Sequence, residues 1–139
     1  MRKKIKEADK EIISKRADGR CEYCKSLQKY SPQPFVNEHI IPVVAGGTNE
    51  LDNLALSCGG CNGHKYTKIT GIDPISNKKT PLFNPRSDIW VMHFQWSADN
   101  LAVIGITAIG RATINTLQLN RLNVINLRIL TPMTDEHPP

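Results

Sequence analysis

Four cysteines carry the plainest chemistry in the sequence. They fall into two C-x-x-C pairs, Cys21/Cys24 and Cys58/Cys61, and such a knuckle holds two sulfurs at the angle a tetrahedral metal prefers. In a reducing compartment this spacing favours metal over disulfides. The bland alternative is four thiols that are merely buried or oxidised in pairs. Four thiolates leave zinc no open position, so the expected ion is structural, and its loss should unfold the small unit around it. Gly59 and Gly60, inside the second pair, are expected to supply the positive φ of a sharp turn.

Between and just after the knuckles stand Asn37-Glu38-His39-Ile40-Ile41-Pro42, then Gly46-Gly47, then Asn53-Leu54-Ala55-Leu56-Ser57-Cys58, and finally Asn62-Gly63-His64-Lys65. Over about residues 18–68 this order resembles the HNH endonuclease family. The family pattern is an acidic residue and His before Ile-x-Pro, a glycine pair, an Asn-Leu, and a final His or Asn after C-x-x-C. Asn62 in the third place makes this the HNN variant.

The resemblance implies a ββα-metal (His-Me finger) core in which Glu38 and Asn62 hold a divalent cation, His39 activates water and Asn53 fixes the loop around His39. It also implies DNA as substrate, with 5′-phosphate and 3′-hydroxyl products. The residue chemistry agrees. A carboxylate and an amide oxygen are hard ligands suited to magnesium or manganese, and imidazole, with an ordinary pKa near ~6.5, suits a general base. Lys65 lies one helical turn from Asn62, where its ammonium could meet a phosphate oxygen. His64 is either a phosphate or metal contact or a solvated helix residue.

Glu38 and His39 are neighbours, and in a regular strand they point to opposite faces. A bend near 38–42 is therefore expected, marked by Pro42, which cannot donate to a sheet ladder. The amide of Asn53 could satisfy the backbone groups that such a bend leaves over.

The elements that must place these residues read as α+β. Residues 5–16 suggest a surface helix with Ile5, Ala8, Ile12 and Ile13 on one stripe, preceded by Arg2, Lys3, Lys4 and Lys6 and ended at Gly19. Two strands follow, around 35–44 and at Leu54–Leu56, and a helix starts at Cys61. Residues 71–87, with three prolines, read as a linker. Beyond it, residues 89–107 suggest a hairpin turning at Ser97-Ala98-Asp99-Asn100, with Thr107 capping one or two helices over 108–130. The expected organisation is a zinc-pinned module at 1–70, a linker at 71–87 and a hairpin-helical extension at 88–131, with a frayed tail after Pro132. His93, in the aromatic run with Trp90, Phe94 and Trp96, is expected to pack or bond internally. Arg111, Arg121 and Arg128 fit a basic stripe against DNA or a solvated helix face.

Composition is that of an ordinary folded chain, 40% hydrophobic and 22% charged, which excludes wholesale disorder. Lysine and arginine outnumber the acids 18 to 13, for a net charge of +5, which favours polyanionic partners. No apolar stretch approaches the ~20 residues of a membrane span, and no apolar signal region follows the basic start, so a cytoplasmic protein is expected. The overall expectation is a metal-dependent DNA endonuclease, working alone, as a homodimer or in a larger complex. The alternatives are a zinc ribbon that binds nucleic acid without chemistry, or a partner-dependent subunit of a defence or mobile-element system.

Overall fold

The computed structural model describes residues 4–139, the side chains of residues 132 and 133 excepted. Arg2 and Lys3 of the basic start lie outside the described residues. Helix α1 spans Glu7–Arg16, with acids in its first turn and Lys15 and Arg16 in its last, the arrangement its dipole favours. Of the expected stripe only Ile13 is fully buried, while Ile12 remains exposed. Strands β1 (Val36–His39) and β2 (Leu54–Ser57) pair antiparallel, with Glu38 opposite Ala55 and His39 opposite Leu54. Helix α2, Gly59–Lys65, follows at once and completes a ββα unit.

The stretch read as a linker is not bare chain. It holds a hairpin of β3 (Thr70–Ile72) and β4 (Lys79–Pro81), followed by Leu82 and Phe83 in the core. Strands of three residues, one ending on proline, carry too little periodicity to announce themselves in sequence. The next hairpin, β5 (Phe94–Trp96) with β6 (Val103–Gly105), turns where expected. The aromatic run before it differs from the strand expected: Trp90–Met92 form a 3-10 turn.

Thr107 caps α3 (Ala108–Leu117), its hydroxyl accepting from Gly110 N at 3.0 Å. Gln118, in the left-handed conformation, ends α3, and α4 (Leu122–Leu130) follows. His93 bonds through Nδ1 to the Thr107 hydroxyl at 2.7 Å and packs edge-on to Phe83.

One apolar cluster draws on all of these segments: Ile13, Tyr23, Phe35, Leu54, Leu56, Phe83, Phe94, Leu117 and Val124 are among its members. The tail is also anchored, contrary to expectation. His137 is buried with Nε2 2.6 Å from the Asn100 carbonyl, and Glu136 pairs with Lys29. Among the described residues no helix is long and apolar enough to cross a membrane.

Candidate metal centre and groove

The two knuckles meet. Cys21, Cys24, Cys58 and Cys61 are all buried, and their Sγ atoms lie within 4.8 Å of one another. Cys24 and Cys58 are 3.7 Å apart. Zinc with Zn–S bonds of ~2.3 Å needs sulfurs about 3.8 Å apart at tetrahedral angles, so the cluster fits structural zinc. Each knuckle has its own support. The Cys21 N–H donates to the Ser26 carbonyl at 2.8 Å, and Cys58, as N-cap of α2, accepts from Cys61 N at 3.4 Å.

The glycines of the second knuckle have a different purpose from the one expected. Gly59 and Gly60 lie in α2, and neither is among the positive-φ glycines, which are Gly19 and Gly46. A Cβ on Gly60 would come within 2.5 Å of an Arg121 guanidinium nitrogen, whereas one on Gly59 meets nothing within 4 Å. Gly60 therefore makes room for Arg121, which donates to Cys58 Sγ at 3.3 Å and Cys61 Sγ at 3.5 Å. Burial lowers the pKa of this guanidinium, but the neighbouring thiolates more than offset that, and the net shift is upward.

Arg121 is thus neither a DNA stripe nor a solvated face. The same holds for its companions. Arg128 is buried and donates to the carbonyls of Leu101, Leu119 and Cys24, and Arg111 grips buried Asp73 with two bonds of 2.9 Å.

Beside the zinc cluster, β1, the turn after it and α2 enclose a groove of about 370 Å³, lined by Glu38, His39, Val43, Val44, Asn62 and Tyr66 among others. Sheet pairing stays regular through His39, and Ile40 N still donates to the Asn53 carbonyl at 2.9 Å. The bend falls at Ile40 and Ile41, just before Pro42 and the 3-10 turn Val43–Ala45. Asn53 holds it: Oδ1 accepts from Ile41 N at 2.8 Å, and Nδ2 donates to the carbonyls of Ile41 at 3.0 Å and Thr48 at 2.9 Å. Gly46 takes φ 92, and a Cβ on Gly47 would lie 1.7 Å from the Ile41 carbonyl oxygen. The glycine pair lets this loop fold back on the end of β1.

That fold-back delivers Asn49, whose Oδ1 lies 2.6 Å from His39 Nε2. The sequence marked Asn49 only as part of a turn. An imidazole donating from Nε2 carries its basic lone pair on Nδ1.

Glu38 is buried between Tyr23, whose hydroxyl donates to Oε1, and Lys65, 3.4 Å from Oε2. Burial pushes the Glu38 carboxyl above its ordinary value, against the opposing pull of Lys65 and Tyr23. Oε2 makes no hydrogen bond among the described residues and is buried against the Lys65 ammonium, so a hard cation at Glu38 would share the carboxylate with Lys65. Asn62, half-buried on the first turns of α2, lines the same groove. Lys65 does not take the place expected of it. It is 2% exposed, faces inward and donates to the Ile40 carbonyl at 2.9 Å, so it braces the bend rather than reaching a phosphate. His64 is exposed.

Residues 21–68 match the HNH endonuclease family. No curated protein and no solved structure matches the chain. The match begins on the first cysteine and takes in both knuckles, the Glu38-His39 pair, Asn53 and all of α2, so this third of the chain is similar to an HNH endonuclease domain, and its four-cysteine cluster fits the zinc-bearing kind.

Proposed function

We propose that the protein is a metal-dependent endonuclease that hydrolyses phosphodiester bonds in DNA with His39 as general base. The observation that carries this reading is the convergence of His39, Glu38 and Asn62 on one groove, with the imidazole held by Asn49. Hydrolysis of a phosphodiester needs a water oriented in line with the leaving oxygen and a base to take its proton. His39 supplies the base. Asn49 fixes its ring and its tautomer, and Asn53 holds the loop that carries Asn49.

Glu38 and Asn62 would hold magnesium or manganese, which supplies positive charge against the phosphate and the leaving oxygen. Lys65 contributes from below, as a buried positive charge beside Glu38 and a brace for the Ile40 carbonyl. A single groove cuts one strand at a time, so a double-strand break requires a second copy or a second event.

The test is supercoiled plasmid with magnesium or manganese, wild type against His39→Ala. Nicking by wild type and its loss in His39→Ala, at an unchanged melting temperature, is the expected result. Equal cleavage by both proteins would sink the role of His39. Absence of cleavage by both would favour a nucleic-acid-binding or partner-dependent protein.

A further inference from the structure

Tyr66 ends α2 in a conformation tyrosine rarely adopts. Its φ is 50° and ψ −118°, a region open to glycine and costly for a side chain with a Cβ. Helices commonly close on glycine at such a position. Here the strained residue is aromatic and 73% exposed, so burial of the ring does not offset the strain. Its N–H donates to the Asn62 carbonyl at 2.8 Å, which ties the strained unit to a residue of the groove. Tyr66 lines the groove that holds Glu38, His39 and Asn62. Val43 and Val44 line it too, the latter 84% exposed. Strain of this kind concentrates where a side chain must be presented to a ligand.

We infer that Tyr66, with Val43 and Val44, holds an unpaired nucleobase next to the scissile phosphate, so that the preferred substrate is single-stranded or locally unpaired DNA. The inference rests on the nuclease reading for the identity of the ligand, and adds the state of its bases. Every base has a π-face that an aromatic ring can stack on, but in continuous duplex both faces are covered by neighbouring base pairs, and exposing one requires unpairing or extrusion. A groove with polar, cation-holding groups on one part and an exposed phenol with aliphatic neighbours on the other matches a nucleotide with its phosphate and base separated. The charge also fits. Lys68, just past Tyr66, is exposed and makes no ion pair among the described residues; its ammonium lies 3.3 Å from the His64 carbonyl.

The test is binding, read without turnover in the His39→Ala chain of residues 1–139 with magnesium present. The probe is a short DNA strand carrying 2-aminopurine, alone or annealed to its complement. The single strand should bind roughly tenfold more tightly than the duplex and lose fluorescence on binding, as stacking requires. Adding Tyr66→Phe should keep both properties. Adding Tyr66→Gly, which relieves the strained φ, should melt no lower than the parent and yet bind the single strand roughly tenfold more weakly without quenching.

Parent-like binding by the Tyr66→Gly protein overturns the inference. So does a duplex held as tightly as the single strand, or no binding of either. Plasmid cleavage that ignores Tyr66 would remove this inference and leave the nuclease. Tyr66-dependent binding by a protein that never cleaves would do the reverse.

Discussion

Replacing Arg121 with methionine preserves most of its length and apolar stem but removes the guanidinium that donates to two of the four cluster sulfurs, at 3.3 and 3.5 Å. A zinc bound by four thiolates carries a net charge of −2, and the guanidinium is a positive charge directly against it. Removing a group that hydrogen-bonds metal ligands typically weakens the metal by roughly 10–100-fold, or about 1.4–2.8 kcal/mol. Arg121 touches half of the ligands, which argues for the upper part of that range, but it is only half-buried and solvent screens what it contributes. The expected loss is therefore about 1.5–2 kcal/mol, or roughly 10–30-fold in zinc affinity.

Competition with a chromophoric chelator reads this directly. Arg121→Lys should fall between wild type and Arg121→Met, because an ammonium keeps the charge but cannot fork across two sulfurs. Protons compete with zinc for the thiolates, so zinc release on acidification should move to higher pH in Arg121→Met. An unchanged zinc affinity and release pH in that variant would refute the assignment of Arg121 to the metal centre.

Three further outcomes follow from the groove and its supports. Asn53→Ala strands the backbone groups of Ile41 and Thr48; it should cost about 2–3 kcal/mol in urea denaturation and slow cleavage as the Asn49 loop loosens. Gly47→Ala drives a Cβ into the Ile41 carbonyl, so cleavage should fall at least about tenfold while zinc, measured by chelator titration, stays bound. Arg111 holds the Asp73 carboxyl well below its ordinary value through their hydrogen bonds. The stabilisation is complete above the unfolded carboxylate pKa near ~3.9 and is lost as pH falls through the lower folded value. Melting temperatures of wild type and Asp73→Asn should therefore differ at neutral pH and converge in strong acid.

What could be read from sequence was whatever local spacing determines. The knuckles, the Glu38-His39 pair, the glycine pair and Asn53 sit at fixed short offsets, and the structure brings them to one corner of the fold. Partners distant in sequence were not legible. Arg121 meets Cys58 and Cys61, Tyr23 meets Glu38, and Arg128 meets the carbonyl of Cys24; nothing near any of these residues announces the contact. Lys65 departs from the phosphate contact its spacing from Asn62 suggests, because the seven-residue helix turns it inward to the end of β1. The order within 71–87 is not visible in sequence because it comes from packing, with Asp73 against Arg111 and the Phe83 N–H on the Thr113 hydroxyl.

The close approach of Arg121 to Gly60 has a consequence for how related sequences should diverge. A side chain at 60 and the arginine fork at 121 compete for the same space, so the two positions are coupled: a side chain at 60 pushes the guanidinium off the sulfurs, and lineages that use the arginine there should favour the glycine. Position 59, open on all sides, is under no such restriction. Two adjacent glycines of one knuckle should therefore drift at different rates, and the slower one should change only in step with a residue far along the chain.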